Sequence, residues 1–249
     1  MAQGQNYVIV GAGGGIGAAC AERLAADSRG IVCMDLDPAA LEETARRLRR
    51  GTGAEVTGVE IDVRDEGLCA EAVSEAVSRL GEVHGLIYAP GITGRTGIKT
   101  HEVDVEDFDE VYRVNLRGAF LVSKAILPHM VERRYGRILH IASISGKEGN
   151  EGMAAYSSTK AGLIGLVKVL GKEYATYGIT VNALAPAVIR TPMVESLPDE
   201  QVEYMTAKIP MKRTGTLEEV AAMAAWIVSP HCSFTTAFTF DLSGGRAVY

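Results

Sequence analysis

The sequence lacks most of what would point to a metal, a membrane or a nucleic acid. Its four cysteines (Cys20, Cys33, Cys69, Cys232) fall at no metal-ligand spacing such as C-x-x-C. They read as free thiols of a reducing cytoplasm. The five histidines (His84, His101, His129, His140, His231) form no H-x-x-x-H pair, so no metal site is expected. His140 lies inside an apolar run and reads as a hydrogen-bonded core residue. No apolar run approaches the ~18 residues of a membrane span. Residues 1–6 are short and polar, with no basic n-region, and do not read as a signal peptide. Basic residues are in deficit, 25 Lys and Arg against 31 Asp and Glu, for a net charge of −6. That disfavours a nucleic-acid partner. It does not exclude a nucleotide, because backbone N–H groups hold phosphates without net positive charge. No Pro/Ser linker, repeat or low-complexity tract interrupts the 249 residues, and 47% are hydrophobic. One domain over residues 1–249, with a sizeable core, is expected.

Strand-length apolar runs alternate with segments of helical period. YVIV (7–10), IVCMD (31–35), EVTGVEID (55–62), GLIYA (85–89), GRILHIAS (136–143), GITVNALAP (178–186) and FTFDL (238–242) read as seven strands. Helical stretches follow them, including one over about 105–131 and one over about 155–175. The pattern predicts an α/β fold, a doubly wound Rossmann domain with a seven-stranded parallel sheet and helices on both faces. The segment from about 190 to 216 is the one long insertion between a strand and its helix. Ligands of such sheets sit beyond the carboxyl ends of strands. This segment is therefore a candidate substrate lid, or else a plain surface helix pair.

Gly11, Gly13, Gly14, Gly15 and Gly17 lie between the first strand and the first helix. Such a turn lets backbone approach a pyrophosphate at a helix N-terminus. Asp35 ends the second strand, where an acid accepts both ribose hydroxyls and repels a 2′-phosphate. No Lys or Arg lies within 12–16 or at position 36 to hold that phosphate. The expected cofactor is NAD rather than NADP. Asp37 is better placed than Asp35 to cap the helix that Pro38 opens. Asp62 and Val63, after the third strand, fit an adenine-edge contact or a simple strand-end turn.

Tyr156 and Lys160 are four apart in a helical segment and so share a face. A lysine ammonium beside a phenol favours the phenolate, which suits general acid–base work. Ser143 ends the preceding strand, where its hydroxyl can reach the same crevice and hold a substrate oxygen.

Together these fragments resemble the short-chain dehydrogenase/reductase family, in the branch of ~250-residue single-domain enzymes. The match runs nearly end to end. It comprises G-x-x-x-G-x-G at Gly11, Gly15 and Gly17; Asp35; Asp62–Val63; Asn115 in VNLRG; Ser143 in IASISG; YSSTK with Tyr156 and Lys160; and Asn182–Pro186 followed by Thr191. The resemblance implies a catalytic set of Asn115, Ser143, Tyr156 and Lys160. Tyr156 exchanges a proton with the substrate oxygen, which Ser143 fixes. Lys160 lowers the Tyr156 pKa and holds the nicotinamide ribose. Asn115 interrupts a helix and holds a water that passes protons on through Lys160. Cofactor contacts are implied for Gly11, Gly15, Ile16, Gly17, Asp35, Asp62, Val63, Ala89, Gly91, Pro186, Ile189 and Thr191, besides Tyr156 and Lys160.

Three departures stand out. Val10 replaces a threonine before the glycine turn. YAPG (88–91) replaces N-N-A-G after the fourth strand. Ala187 replaces the glycine after Pro186. For substrate, Thr93, Arg95, Lys99, Lys147, Glu148, Asn150, Glu151 and Glu195 are polar residues near the crevice, or else solvated loop residues. If they face inward, the pocket suits a polyol, sugar or sugar acid; Ser143, Asn150, Tyr156 and Arg95 are the chosen substrate contacts. SGGRAVY and PAVIRTP resemble family members that oxidise sugars or deoxy-sugar acids, and also 3-oxoacyl-carrier-protein reductases. The expected activity is NAD-dependent oxidation of a secondary alcohol on a sugar or sugar-derived acid. The alternatives are a 3-oxoacyl thioester reductase and a non-catalytic dinucleotide sensor, the latter disfavoured because Tyr156 and Lys160 are both kept. The epimerase/dehydratase branch differs in its glycine spacing. A small-molecule substrate and a cytoplasmic homotetramer are implied. The tetramer would pair through the helices at ~105–131 and ~155–176 and through the last helix and strand. The small residues Ala155, Ser158, Ala161, Gly162 and Gly165 permit close helix packing there or within the chain.

Overall fold

Apolar runs without alternation need burial on both faces. In the computed structural model, which describes residues 4–191, 194 and 199–247, the five inner runs receive it, while those at 55–60 and 239–242 lie at the sheet edges and are partly buried. Strands β1 (Asn6–Val10), β2 (Gly30–Asp35), β3 (Glu55–Glu60), β4 (Gly85–Tyr88), β5 (Gly136–Ile141), β6 (Ile179–Pro186) and β7 (Thr239–Leu242) form one sheet. Its order is β3-β2-β1-β4-β5-β6-β7, and every neighbouring pair is parallel. Successive side chains of a strand point to opposite faces, so Val8 joins one core cluster and Ile9 the other. One cluster packs α3 (Glu66–Leu80), α5 (Gly118–Arg133) and α7 (Ala154–Glu173) on the sheet. The other packs α1 (Gly15–Ala25), α2 (Pro38–Gly51) and α9 (Leu217–Ile227) on the opposite face. Full burial of each such Val, Leu or Ile contributes about 1.5–3 kcal/mol.

The order reverses between β1 and β4. Chains leaving those two strands turn to opposite sides, which opens a crevice at their carboxyl ends. Register brings the rims level: Val10 pairs with Met34 of β2 and with Tyr88 of β4. At the start of α2, Asp37 accepts from Ala39 N (2.9 Å) and Ala40 N (3.1 Å), and Pro38 occupies the first turn. Such a cap is worth about 1 kcal/mol. Because Asp37 takes this role, the Asp35 carboxylate is spared it.

The helix expected over 105–131 is interrupted. It runs as α4 (Val105–Tyr112), a π-turn over Arg113–Arg117, and α5. A short helix α6 covers Ser145–Glu148, and within the segment 190–216, α8 spans Asp199–Ala207. Glu195, one of the expected polar contributors, lies outside the described residues. Among the described residues no helix is long and apolar enough to cross a membrane. Nor do three or more His, Cys, Asp or Glu side chains cluster there as a metal ion would need.

Candidate active site

The chain leaves β1 through a turn that only glycine can make. Gly11 has φ +82° and its N–H donates to Met34 O (2.8 Å). A Cβ on Gly17 would stand 2.0 Å from Gly11 O, so α1 packs its backbone directly on the turn. The result is a cavity of about 640 Å³ floored by backbone. Gly11, Gly15, Ile16 and Gly17 line it on one side, Asp35, Asp62 and Val63 on another, and Ala89, Gly91 and Thr191 close it. Asp35 Oδ2 accepts from Gly13 N (2.8 Å) and Oδ1 from Asp37 N (3.1 Å). A carboxylate has about four acceptor sites, so two stay available for a pair of hydroxyls. A dinucleotide fits: the α1 N-terminus offers N–H groups for a pyrophosphate, and the acid stands where a 2′-phosphate would be repelled. Among the described lining residues Arg64 is the one cation. It is already engaged, donating to Asp62 (2.7–3.1 Å) and to Glu110 Oε1 (2.7 Å). Those hydrogen bonds hold the Asp62 carboxyl below the usual range.

A second cavity of about 220 Å³ adjoins the first, sharing Ile16, Ala89 and Gly91. Ser143, Tyr156, Lys160, Pro186, Ala187 and Ile189 line it. One helical turn of α7 sets Tyr156 and Lys160 on the same face, with Lys160 Nζ 5.7 Å from the Tyr156 ring centre. Lys160 is 2% exposed and donates to Ile141 O at the end of β5 (2.8 Å). Burial pulls its pKa down to about 8. Burial pushes the Tyr156 phenol up, and a hydrogen bond with the Ser143 side chain pulls it partly back. The Ser143 hydroxyl thus favours the phenolate by direct contact, beside the Lys160 ammonium one helical turn away. Ser143 Oγ is steadied by Ser145 N (3.1 Å).

Asn115 lies behind this cavity, fully buried. Its Nδ2 donates to Ile92 O (2.9 Å) and to Thr159 Oγ1 (3.2 Å), and its Oδ1 accepts from Ile92 N (2.9 Å). His140, one residue before Ile141, is also fully buried, and its pKa falls to about 3 through burial first and the Lys160 charge second. It is a neutral core residue, with Nε2 3.2 Å from Ser123 Oγ.

The expected residues thus converge, with exceptions on the substrate side. Arg95 is exposed, and it lines neither cavity; its backbone N–H donates to Asp107 (2.9 Å). Asn150 also lines neither, because its amide bonds Ser145 Oγ (2.6 Å) and accepts from Arg246 (3.0 Å). Lys99 pairs with Glu151, Lys147 with Asp241 and Glu148 with Arg246. The expected polar pocket wall is therefore spent on ion pairs, and among the described residues the Thr93 hydroxyl bonds its neighbour Gly94 O. Of the small residues on α7, Ala155 is buried and Gly162 packs on Leu116, while Ser158, Ala161 and Gly165 are exposed. The departures are absorbed. Val10 is fully buried in apolar packing. Ala187 donates to Leu242 O (3.0 Å) without needing a positive φ. Tyr88 is fully buried, its hydroxyl on Val114 O (2.6 Å). Sequence reasoning missed Arg64, Glu110 and Thr159. Arg64 directly follows Asp62–Val63 and could have been suspected; Glu110 reaches the site only through the fold.

A dinucleotide cradle joined to a Tyr–Lys–Ser cluster with a buried lysine and serine, at the switch point of a parallel sheet, defines an oxidoreductase of the nicotinamide class. Comparison with known proteins narrows that class. The family model described as Enoyl-(Acyl carrier protein) reductase matches residues 11–246. The 2-dehydro-3-deoxy-L-rhamnonate dehydrogenase (NAD(+)) of Sphingomonas sp. (strain SKA58) is 42% identical over 249 residues, covering 99% of this chain and 96% of that protein. The 3-oxoacyl-(acyl-carrier-protein) reductase of Thermotoga maritima is 33% identical over 246 residues, covering 99% of each. The solved structure of an NAD+-bound xylitol dehydrogenase superposes with a TM-score of 0.92 at 29% identity, covering 98% of this chain and 99% of that one. The chain belongs to the short-chain dehydrogenase/reductase family.

Proposed function

We propose that the chain oxidises a secondary hydroxyl of a sugar or sugar-derived acid to the ketone, using NAD. The observation that carries this is the juxtaposition of Asp35, at the mouth of the glycine cradle, with Ser143, Tyr156 and Lys160 in the adjoining cavity. The 42% identity to a dehydrogenase named for a deoxy-sugar acid and NAD(+) supports it.

Gly11, Gly15, Ile16 and Gly17 hold the pyrophosphate, Asp35 the adenosine ribose, and Asp62 with Val63 the adenine edge. Ala89 and Gly91 form the floor, and Pro186, Ile189 and Thr191 hold the nicotinamide end. When bound, that ring supplies the hydride acceptor. Ser143 Oγ fixes the substrate oxygen. Tyr156, as phenolate, takes the hydroxyl proton. Lys160 supplies positive charge beside the tyrosine and holds the ribose of the nicotinamide half. Asn115 anchors the far end of that proton path. Because the phenol is raised by burial, loss of its proton limits oxidation near neutrality. The rate of alcohol oxidation therefore rises from pH 7 toward pH 8, and the rise weakens above it as Lys160 loses its charge; a pH profile of kcat checks this.

Residues 1–249 act as one domain, and the described part of the segment 190–216, α8 included, serves as the substrate lid. The protein is a cytoplasmic homotetramer; the exposed small residues Ser158, Ala161 and Gly165 of α7 suit close approach by another copy. Light scattering checks the assembly.

The deciding experiment follows NADH absorbance with a panel of sugar acids, polyols and 3-oxoacyl thioesters. Turnover of sugar acids with NAD is expected. Activity confined to thioesters with NADPH would overturn the proposal, and cofactor binding with no turnover on any substrate would favour a sensor. Asp35→Ser should lower kcat/KM for NAD about tenfold, the scale of one lost charge-assisted hydrogen bond. An unchanged preference over NADP would remove Asp35 from the selecting role.

A further inference from the structure

The residue that departs most from the family pattern, Tyr88, stands behind the catalytic set without touching either cavity. It ends β4, is fully buried, and its ring lies 5.8 Å from that of His140. Its hydroxyl donates to Val114 O at 2.6 Å.

Val114 O needs a donor for a definite reason. In an α-helix the N–H of Gly118 would bond the carbonyl four residues back, at Val114. In the π-turn it bonds Arg113 O instead. The shift leaves the Val114 carbonyl without that helical partner, and a buried carbonyl without a donor is costly. Tyr88 Oη supplies the bond. The next residue in the chain is Asn115.

The fit is specific to this phenol. A Cβ on Gly118 would stand 2.4 Å from Tyr88 Oη, so residue 118 must stay bare for the hydroxyl to reach. Beyond Tyr88 the backbone runs through Ala89, Pro90 and Gly91 to Ile92, whose N–H and C=O clasp the Asn115 amide. One short stretch therefore grips the π-turn twice, by the Tyr88 side chain at Val114 and by the Ile92 backbone at Asn115. Lys160 lies against the same stretch: a Cβ on Gly91 would meet Lys160 Nζ at 3.0 Å and Asn115 Oδ1 at 3.6 Å.

We infer that Tyr88 is a positioning residue for the reaction: its hydroxyl caps the carbonyl freed by the π-turn and so fixes Asn115 opposite Lys160. The inference rests on the reading that Asn115 takes part in proton transfer. A π-turn without its cap can revert toward ordinary helical pairing, which rotates Asn115 away from Ile92.

Tyr88→Phe keeps the ring and removes the donor. Kinetics well below the melting temperature should show kcat about ten- to hundredfold lower, the scale of a misplaced catalytic group, with the NAD Kd within about twofold of the original. The pH dependence of kcat should move with it. Amide exchange over 114–119 should quicken in the free protein while α7 and α1 stay protected. Gly118→Ala, which presses on the phenol oxygen from the other side, should give the same kinetic pattern and stands in if Tyr88→Phe does not fold. Asn115→Ala separates the two readings. If it leaves turnover intact, the role of Asn115 fails. If it removes turnover while Tyr88→Phe lowers only the melting temperature, with kcat, pH profile and local exchange unchanged, the inference about Tyr88 alone is overturned.

Discussion

The cavity under the glycine turn and the smaller one around Tyr156 meet at Ile16, Ala89 and Gly91, yet they are made of different material. The first is walled largely by backbone and apolar side chains, and its acids stand at the rim where water reaches them. The second is lined by Ser143, Tyr156 and a buried Lys160, whose pKa burial pulls down to about 8, with the buried His140 in the core behind it. A shape made of backbone binds by excluding Cβ atoms, and its failures are steric. A site made of buried ionisable groups works by their protonation states, and its failures are electrostatic. The two halves should therefore respond to different perturbations.

The largest separation should come from Tyr156→Phe. It removes the proton-exchanging oxygen and leaves the cradle untouched. Turnover should fall about 1,000-fold or more, with the NAD Kd within about twofold. Fluorescence titration beside steady-state kinetics reads both quantities. A parallel loss of NAD binding would mean that the halves are not separable.

Gly17→Ala is the complementary break. The added carbon would sit 2.0 Å from Gly11 O, so α1 must move off the turn. NAD affinity should drop about a hundredfold, as expected when a binding backbone shifts by about 1 Å. The buried cluster of Lys160, Ile141 O and Asn115 lies on α7, β5 and the π-turn, whereas the nearest neighbours of that carbon are the backbone atoms of Gly11 and Ala12. Its amides should exchange as slowly as before.

The same difference in material decides how much was legible in the sequence. The cradle could be read because Gly11, Gly15, Gly17 and Asp35 are local: a strand, a turn, a helix and the next strand end carry the whole device. Tyr156 and Lys160 were legible for the same reason, being one helical turn apart. The sheet followed from alternating runs, and boundaries shifted by only a residue or two where strand ends became turns. The substrate side was misread because charge pairing between distant segments is invisible in sequence. Nothing near Glu148 announces Arg246, and nothing near Lys147 announces Asp241, yet those pairs take the side chains expected to face the ligand. Tyr88 stood out only as a departure, because the π-turn that supplies its partner is formed by the fold.

Acid should expose the electrostatic half. His140 has an ordinary pKa near 6.5 and a folded value of about 3, lowered by burial and then by Lys160. Between these values the unfolded chain binds a proton that the folded chain refuses, so stability is whole above pH 6.5 and is lost as pH falls toward 3. By pH 5 the loss from this group is about 2 kcal/mol, taking 1.36 kcal/mol per pH unit. His140→Gln should flatten the fall in urea midpoint between pH 7 and pH 5. An identical slope in the variant would show that other groups govern acid sensitivity. Gly17→Ala, by contrast, should leave this slope alone.

The smallest effect should come from the edge of the substrate side. Arg246, beyond β7, donates to Glu148 Oε2 (2.7 and 2.9 Å) and to Asn150 Oδ1 (3.0 Å). Its side chain is 9% exposed, so this pairing is better shielded than an ordinary surface bridge. Asn150 Nδ2 donates to Ser145 Oγ (2.6 Å), and Ser145 N donates to Ser143 Oγ (3.1 Å). Arg246 thus reaches the hydroxyl beside Tyr156 at third remove, through groups that each keep other bonds. Arg246→Ala should raise KM for the alcohol a few-fold, roughly the worth of one partly shielded pair, and leave NAD binding and the pH profile of kcat where they were. Asn150→Ala, one step nearer, should cost more in the same quantity. If Arg246→Ala instead weakened NAD, the C-terminal loop would belong to the cradle and the division between the two halves would have to be redrawn at β6 and β7.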